Sequence, residues 1–164
     1  MRNFSLTAYR LSLTVWLGAA VFFAAVAIKP LRHRDIEALV RPKLALILFP
    51  DYYLWGFTLL GIALIAGVLS RQHRQWSPKR FWASLIFCAA AMLCMIVDRL
   101  TIYGPLERMM KVTLASQVPA AEFRNYHVAS WTINAVMATF CLMAAVLACW
   151  ASDKASPHEP RSTA

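Results

Sequence analysis

The chain has 164 residues, 60% of them hydrophobic and 15% charged, with 17 Lys and Arg against 8 Asp and Glu for a formal net charge of +9. Soluble domains run at about 45–50% apolar and about 25% charged, so this composition, with a mean hydropathy of +0.53, excludes an ordinary soluble enzyme, a disordered chain and a coiled coil. The basic excess would suit nucleic acid only on a charged surface of its own; here the charges fall between long apolar runs, and no nucleic-acid partner is expected.

Those runs set the fold. Residues 11–28 and 52–69 are 18 residues each without a charge, residues 81–97 are 17, and residues 125–152 are 28. About 20 helical residues cross a hydrocarbon core of roughly 30 Å, and lipid forces every backbone polar group to be satisfied internally, which favours helices over open sheets. The predicted class is all-α: a four-helix transmembrane bundle in one domain, residues 1–151, with the lipid bilayer as its partner. Spans are expected over residues of about 8–29, 44–70, 78–100 and 120–151.

The first span has a rival reading as a signal peptide. Arg2 and Arg10 precede it, and Ala25-Val26-Ala27 is a small-residue cleavage pattern. A run of 18 residues is long for such a core, and the retained anchor is preferred. Lys29-Pro30 stops this helix, and a basic connector, residues 31–37, follows. Pro42 suits the first turn of the second helix, which is then either kinked at Pro50 or restarted there. Ser77-Pro78 opens the third helix, and Gly104-Pro105 is expected to interrupt it. Beyond lies a short amphipathic helix between spans three and four, with Leu106, Met109, Met110 and Thr113 on one side and Glu107, Arg108 and Lys111 elsewhere. Pro119 opens the fourth span, and residues 152–164 form a disordered tail without an apolar face.

In a four-pass bundle the end of helix one, the start of two, the end of three and the start of four meet at one membrane face. That face collects Asp51, Tyr52 and Tyr53, then Asp98, Arg99 and Tyr103, then Glu122, Arg124 and His127. His127, Ser130 and Asn134 fall at i, i+3 and i+7, on one side of helix four. Ionisable groups in or near spans are costly and face partners or water. The expected polar face is therefore Asp51, Tyr52, Asp98, Arg99, His127, Ser130 and Asn134, able to handle a proton or a cation. The plainer alternative is ion pairing at the helix ends, Asp98 or Glu122 with Arg99 or Arg124.

The sulfur residues offer a second chemistry. Cys88, Met92 and Met95 on helix three, with Met137 and Cys141 on helix four, are soft ligands of the kind that select Cu(I); the plainer reading is packing. No cofactor is expected otherwise. The tryptophans lie mostly near run ends, as an aromatic belt places them, and no phosphate loop, nucleophile elbow or metalloprotease His-Glu pair is present, so no enzymatic activity is expected. Small residues, including Ala63-xxx-Gly67, allow close helix approach, within one chain or in a homo-oligomer or with another membrane partner.

Several of these residues form a recognisable arrangement: Trp16-Leu17-Gly18, Pro30, Phe49-Pro50-Asp51-Tyr52, Pro105 with Arg108-Met109, and Phe123-x3-His127-x2-Ser130-x3-Asn134. It resembles the transmembrane-protein-205-like family over residues of about 10–150. The resemblance implies a multi-pass helical membrane protein with no settled activity. That family in turn resembles, distantly, the copper-resistance D-type membrane proteins, which keeps the copper alternative in view; the sulfur residues are not part of the matched pattern. The expected role is transport or sensing of a small solute, proton or ion, with a non-catalytic assembly subunit as the other reading. The expected location is the bacterial inner membrane. Sidedness is almost balanced, with 8 Lys and Arg on the side of the termini and 9 on the other, and the cluster at residues 70–80 favours cytoplasmic termini.

Overall fold

A computed structural model describes residues 2–29, 33, 35–37, 40–72, 77–116 and 123–150. Apolar runs this long, with few polar side chains to compete for backbone groups, fold as helices throughout, and no strand occurs among the described residues. Helix α1 is Arg2–Phe22, ending in a π-helical turn at Phe23–Ala27. Helix α2, Val40–Leu69, runs unbroken through Pro50, so the alternative of a helix restarting there is set aside. Helix α3 is Pro78–Val97, begun by Ser77-Pro78, and α4 is Gly104–Ser116. Helix α5 is Phe123–Cys149. Four helical stretches, Phe4–Ala27, Val40–Leu69, Pro78–Ser116 and Arg124–Cys149, are long and apolar enough to cross a membrane. The expected tail, Glu122, Pro119 and residues 31, 32 and 34 of the first connector lie outside the described residues.

The bundle is a closed ring. α1 packs on α2 and α5, and α3 on α2 and α5, the α3–α5 seam being the most extensive. Burial within each helix follows one rule. The main seam runs through Leu6, Tyr9, Leu13, Trp16 and Ala20 on α1; Tyr53, Gly56, Leu60, Ala63, Gly67 and Ser70 along α2 and the turn after it; Phe81, Ser84, Cys88, Ala91, Met95 and Asp98 on α3 and its extension; and Ser130, half-buried Asn134, Met137, Cys141, Ala144 and Ala148 on α5, with Ser12, Ala45, Ala66 and Ala145 also buried beside it. Steps of three and four alternate, the period of about 3.5 that keeps a seam facing its partner in a left-handed bundle. Many seam residues are small, as expected where lipid removes the hydrophobic drive between helices and close packing takes over. The outward positions are equally apolar: Ile65, Ile86, Leu93 and Leu142 are exposed. In water such a surface would be an aggregation hazard; against acyl chains it is solvated.

Gly104-Pro105 does not interrupt the third span. Asp98–Tyr103 forms a π-helical turn and the helix continues as α4. Pro105 has no N–H and its ring crowds the carbonyl four residues back, and a π-turn absorbs one extra residue just where that conflict arises. The inserted residue also moves the seam: after Asp98 the buried positions are Tyr103, Leu106 and Met110, which leaves Pro105 off it. α4 is amphipathic as expected, with Leu106 and Met110 inward and Glu107 bonded to Lys111 at 2.8 Å on its outer side.

Candidate functional site

The π-turn positions the centre of the site. Asp98, its first residue, faces the bundle and is only 1% exposed. From α2, the Tyr53 hydroxyl donates to Asp98 Oδ2 at 2.6 Å. From α5, Asn134 Nδ2 donates to the same oxygen at 2.6 Å and to the Ser130 carbonyl at 2.8 Å. The Asn134 amide oxygen accepts from the Tyr52 hydroxyl at 2.8 Å. One carboxyl thus ties three helices together through two tyrosines and an amide. Its second oxygen, Oδ1, is buried without a hydrogen-bond partner.

Aromatic rings enclose this network. Tyr52 stacks on Phe23 at 4.5 Å and meets Trp16 at 5.0 Å between ring centroids. Tyr53 meets Tyr103 at 5.0 Å, and Phe49 closes on Tyr103 at 5.6 Å. Trp16 reaches the box because α2 carries Gly56 opposite it: a Cβ there would come within 2.7 Å of the Trp16 ring edge and would also strike the Met95 Cε. The Trp16 indole N–H and the Tyr103 hydroxyl are, like Asp98 Oδ1, buried and unpartnered. Arg99 covers the box from the side. Its guanidinium carbon lies 4.9 Å from the Tyr103 ring centroid and 5.8 Å from that of Tyr53, and its Nη2 is 3.8 Å from Glu107 Oε2.

Of the residues expected on the polar face, the structure brings together Tyr52, Asp98, Ser130 and Asn134, with Arg99 alongside. Asp51 and His127 are exposed. One residue is about 100° of helix, so a face that turns Tyr53 inward and leaves Tyr52 half-buried points Asp51 outward. His127 shares a helix face with Ser130 and Asn134, but the bundle closes fully over α5 only from Ser130 onward. The ion-pair alternative is also redrawn: Asp98 bonds Tyr53 and Asn134, whereas Arg99 pairs with Glu107. Tyr53 rather than Tyr52 bonds the carboxyl, a choice that two adjacent tyrosines in the sequence do not reveal. Trp16 and Gly56 complete the box without any polar signal to mark them.

A second polar cluster sits at the opposite end of the bundle. Tyr9 and Ser84 share a hydrogen bond of 2.7 Å, Ser84 Oγ donates to the Ala144 carbonyl at 2.8 Å, and Arg10 Nε donates to the Ala148 carbonyl at 2.7 Å. Between the two clusters the α3–α5 seam holds Cys88, Met95, Met137 and Cys141, all at most 1% exposed, with Met92 half-buried beside them. Among the described residues no group of three or more His, Cys, Asp and Glu could hold a metal ion.

Fold and site together define a membrane-spanning four-helix bundle with a buried carboxyl at its core. No family model, no curated protein and no solved structure matches the chain.

Proposed function

We propose that the protein handles a proton or a small cation at Asp98, as a non-enzymatic membrane transporter or sensor. The observation that carries this reading is the Asp98 carboxyl, 1% exposed, with Oδ2 held by two donors and Oδ1 left open. An ionisable side chain within a span is costly, and such residues mark ion pathways and proton relays. Leaving a buried oxygen unpartnered costs about 1–3 kcal/mol, a cost that a proton or cation taken up at Oδ1 would remove. With a proton on Oδ1 the group is neutral and its existing bonds are undisturbed; on releasing it, the carboxylate can take a cation in its place. Tyr53 and Asn134 position the carboxyl, and Arg99, Glu107 and Tyr103 stand between it and the membrane face.

The resemblance to the transmembrane-protein-205-like family fits a multi-pass protein of this kind and supplies no activity. We take the chain as an inner-membrane protein with both termini on the cytoplasmic side. In proteoliposomes carrying an internal pH dye, an imposed acid gradient should drive proton flux through the wild-type chain, and Asp98→Asn should abolish it. Equal flux in the variant and the wild type would end the proposal.

Copper handling is the second reading, favoured by the placing of Cys88 and Cys141 in one buried seam with Met95 and Met137. Metal analysis of protein purified under reducing conditions, against Cys88→Ser and Met92→Leu, decides it: absence of bound copper in the wild type removes it.

A further inference from the structure

The aromatic box beside Asp98 already contains a cation, and that cation belongs to the protein itself. Arg99 stacks on Tyr103 and Tyr53 at 4.9 and 5.8 Å, distances within the roughly 6 Å over which a ring face attracts positive charge. Its guanidinium makes no bond to the Asp98 carboxyl one residue away; it leans outward to Glu107 at 3.8 Å, and its side chain is 38% exposed. Arg99 thus occupies the faces of Tyr103 and Tyr53 from a partly exposed position, while Asp98 Oδ1 is buried without a partner. Around the box lie three polar atoms that are buried and unpartnered among the described residues: Asp98 Oδ1, the Tyr103 hydroxyl and the Trp16 indole nitrogen. A guest with a delocalised positive charge and N–H donors would give Asp98 both a counter-ion and a donor for Oδ1, and its plane suits the tyrosine rings.

We propose that the Asp98 box binds a small organic monocation of the guanidinium type, with Arg99 as the resident competitor that swings out to admit it. This inference rests on the reading of Asp98 as the working carboxyl and names the class of substrate it takes. A guanidinium presents flat N–H donors and stacks on aromatic faces, whereas a compact hydrated ion gains nothing from the rings. Tyr103 is placed as the specificity-determining wall, its ring facing the cation. Glu107 is the positioning residue that receives Arg99 when it withdraws.

The test is calorimetric titration of the full-length protein in detergent with methylguanidinium chloride, with sodium chloride at equal concentration as the control. Saturable heat is expected from methylguanidinium alone. Arg99→Gln should tighten binding by roughly two- to fivefold, because it removes a competing cation from the tyrosine faces. Tyr103→Leu should weaken binding more than Tyr103→Phe, which keeps the ring. Asp98→Asn should abolish binding; if that variant does not fold, the Arg99→Gln comparison stands alone, since Arg99 is partly exposed. An identical isotherm with sodium, or an Arg99→Gln protein that binds no tighter than wild type, overturns the inference. Proton flux lost in Asp98→Asn, with no methylguanidinium heat in the wild type, overturns this inference and keeps the proton reading. Methylguanidinium binding without proton flux overturns the proton reading and keeps this one.

Discussion

Replacing Asn134 by Leu tests whether the buried network is a connected unit. Asn134 donates to Asp98 Oδ2 at 2.6 Å and accepts from the Tyr52 hydroxyl at 2.8 Å, so the substitution removes one bond to each of two other helices. Leucine keeps the same number and branching of side-chain heavy atoms, so the main loss is of hydrogen bonds. In a water-soluble core each orphaned group would cost about 1–3 kcal/mol. In bilayers the unfolded helices also find partners, and measured interhelical bonds average about 0.6 kcal/mol with a maximum of about 1.7. Two bonds therefore predict a loss of about 1–3 kcal/mol, from reversible unfolding in mixed detergent micelles followed by far-UV circular dichroism. The cleaner quantity is the coupling with Tyr52→Phe, which cancels the change in helix hydropathy. A double-mutant cycle should return about 0.6–1.7 kcal/mol. Additivity of the two substitutions to within about 0.3 kcal/mol would mean that Tyr52 and Asn134 do not act together and that the network is an accident of packing.

Gly56→Ala should destabilise the bundle by about 1–3 kcal/mol through overpacking: the flexible Met95 end can move, but the buried Trp16 ring, 2.7 Å from the new Cβ, cannot move without shifting Tyr52. An unchanged or raised melting temperature in detergent would contradict this. At the other end of the bundle, Ser84→Ala removes the link between Tyr9 and the Ala144 carbonyl and should cost about 1 kcal/mol; a double-mutant cycle with Tyr9→Phe should show coupling between the two, and strict additivity would refute the Tyr9–Ser84 bond. In folded protein, a thiol-reactive maleimide should modify exposed Cys149 first, while Cys88 and Cys141, both 0% exposed, react only on unfolding. Rapid labelling of Cys88 would refute the α3–α5 seam.

Four spans are readable because each run is long, uncharged and bounded by prolines or basic residues, features that lipid imposes on any helix crossing it. The seams are not readable in the same way. A membrane helix presents leucine and isoleucine to acyl chains and to its neighbours alike, so the apolar stripe that betrays the buried face of a soluble helix is missing. Hence Trp16 reads as one more tryptophan of an aromatic belt, although it is 1% exposed and lines the Asp98 box. Trp55, Trp131 and Trp150, which are 61–65% exposed, do keep to the outside. Small residues such as Ala63 and Gly67 mark an inward face; polar residues mark it too, and unevenly. Asp98 and Asn134 are legible because nothing but another helix or water can satisfy them within an apolar run. Asp51 carries the same chemical signal and faces outward, because one residue of rotation separates it from Tyr52.

The π-turn is the least legible element and the one on which the site depends most. Gly104-Pro105 signals a break, yet the inserted residue at Asp98–Tyr103 resolves the proline conflict without ending the helix. It also brings Asp98 and Tyr103 inward five residues apart, a spacing that an uninterrupted α-helix would place about 140° apart on its surface. The carboxyl and the cation-facing ring share one box only because the helix is locally overfilled. Proline at 105 therefore does more than tolerate its place in the third span. The carbonyl its ring crowds, four residues back at Thr101, lies inside the π-turn, and that turn carries the meeting of Asp98, Tyr53 and Tyr103.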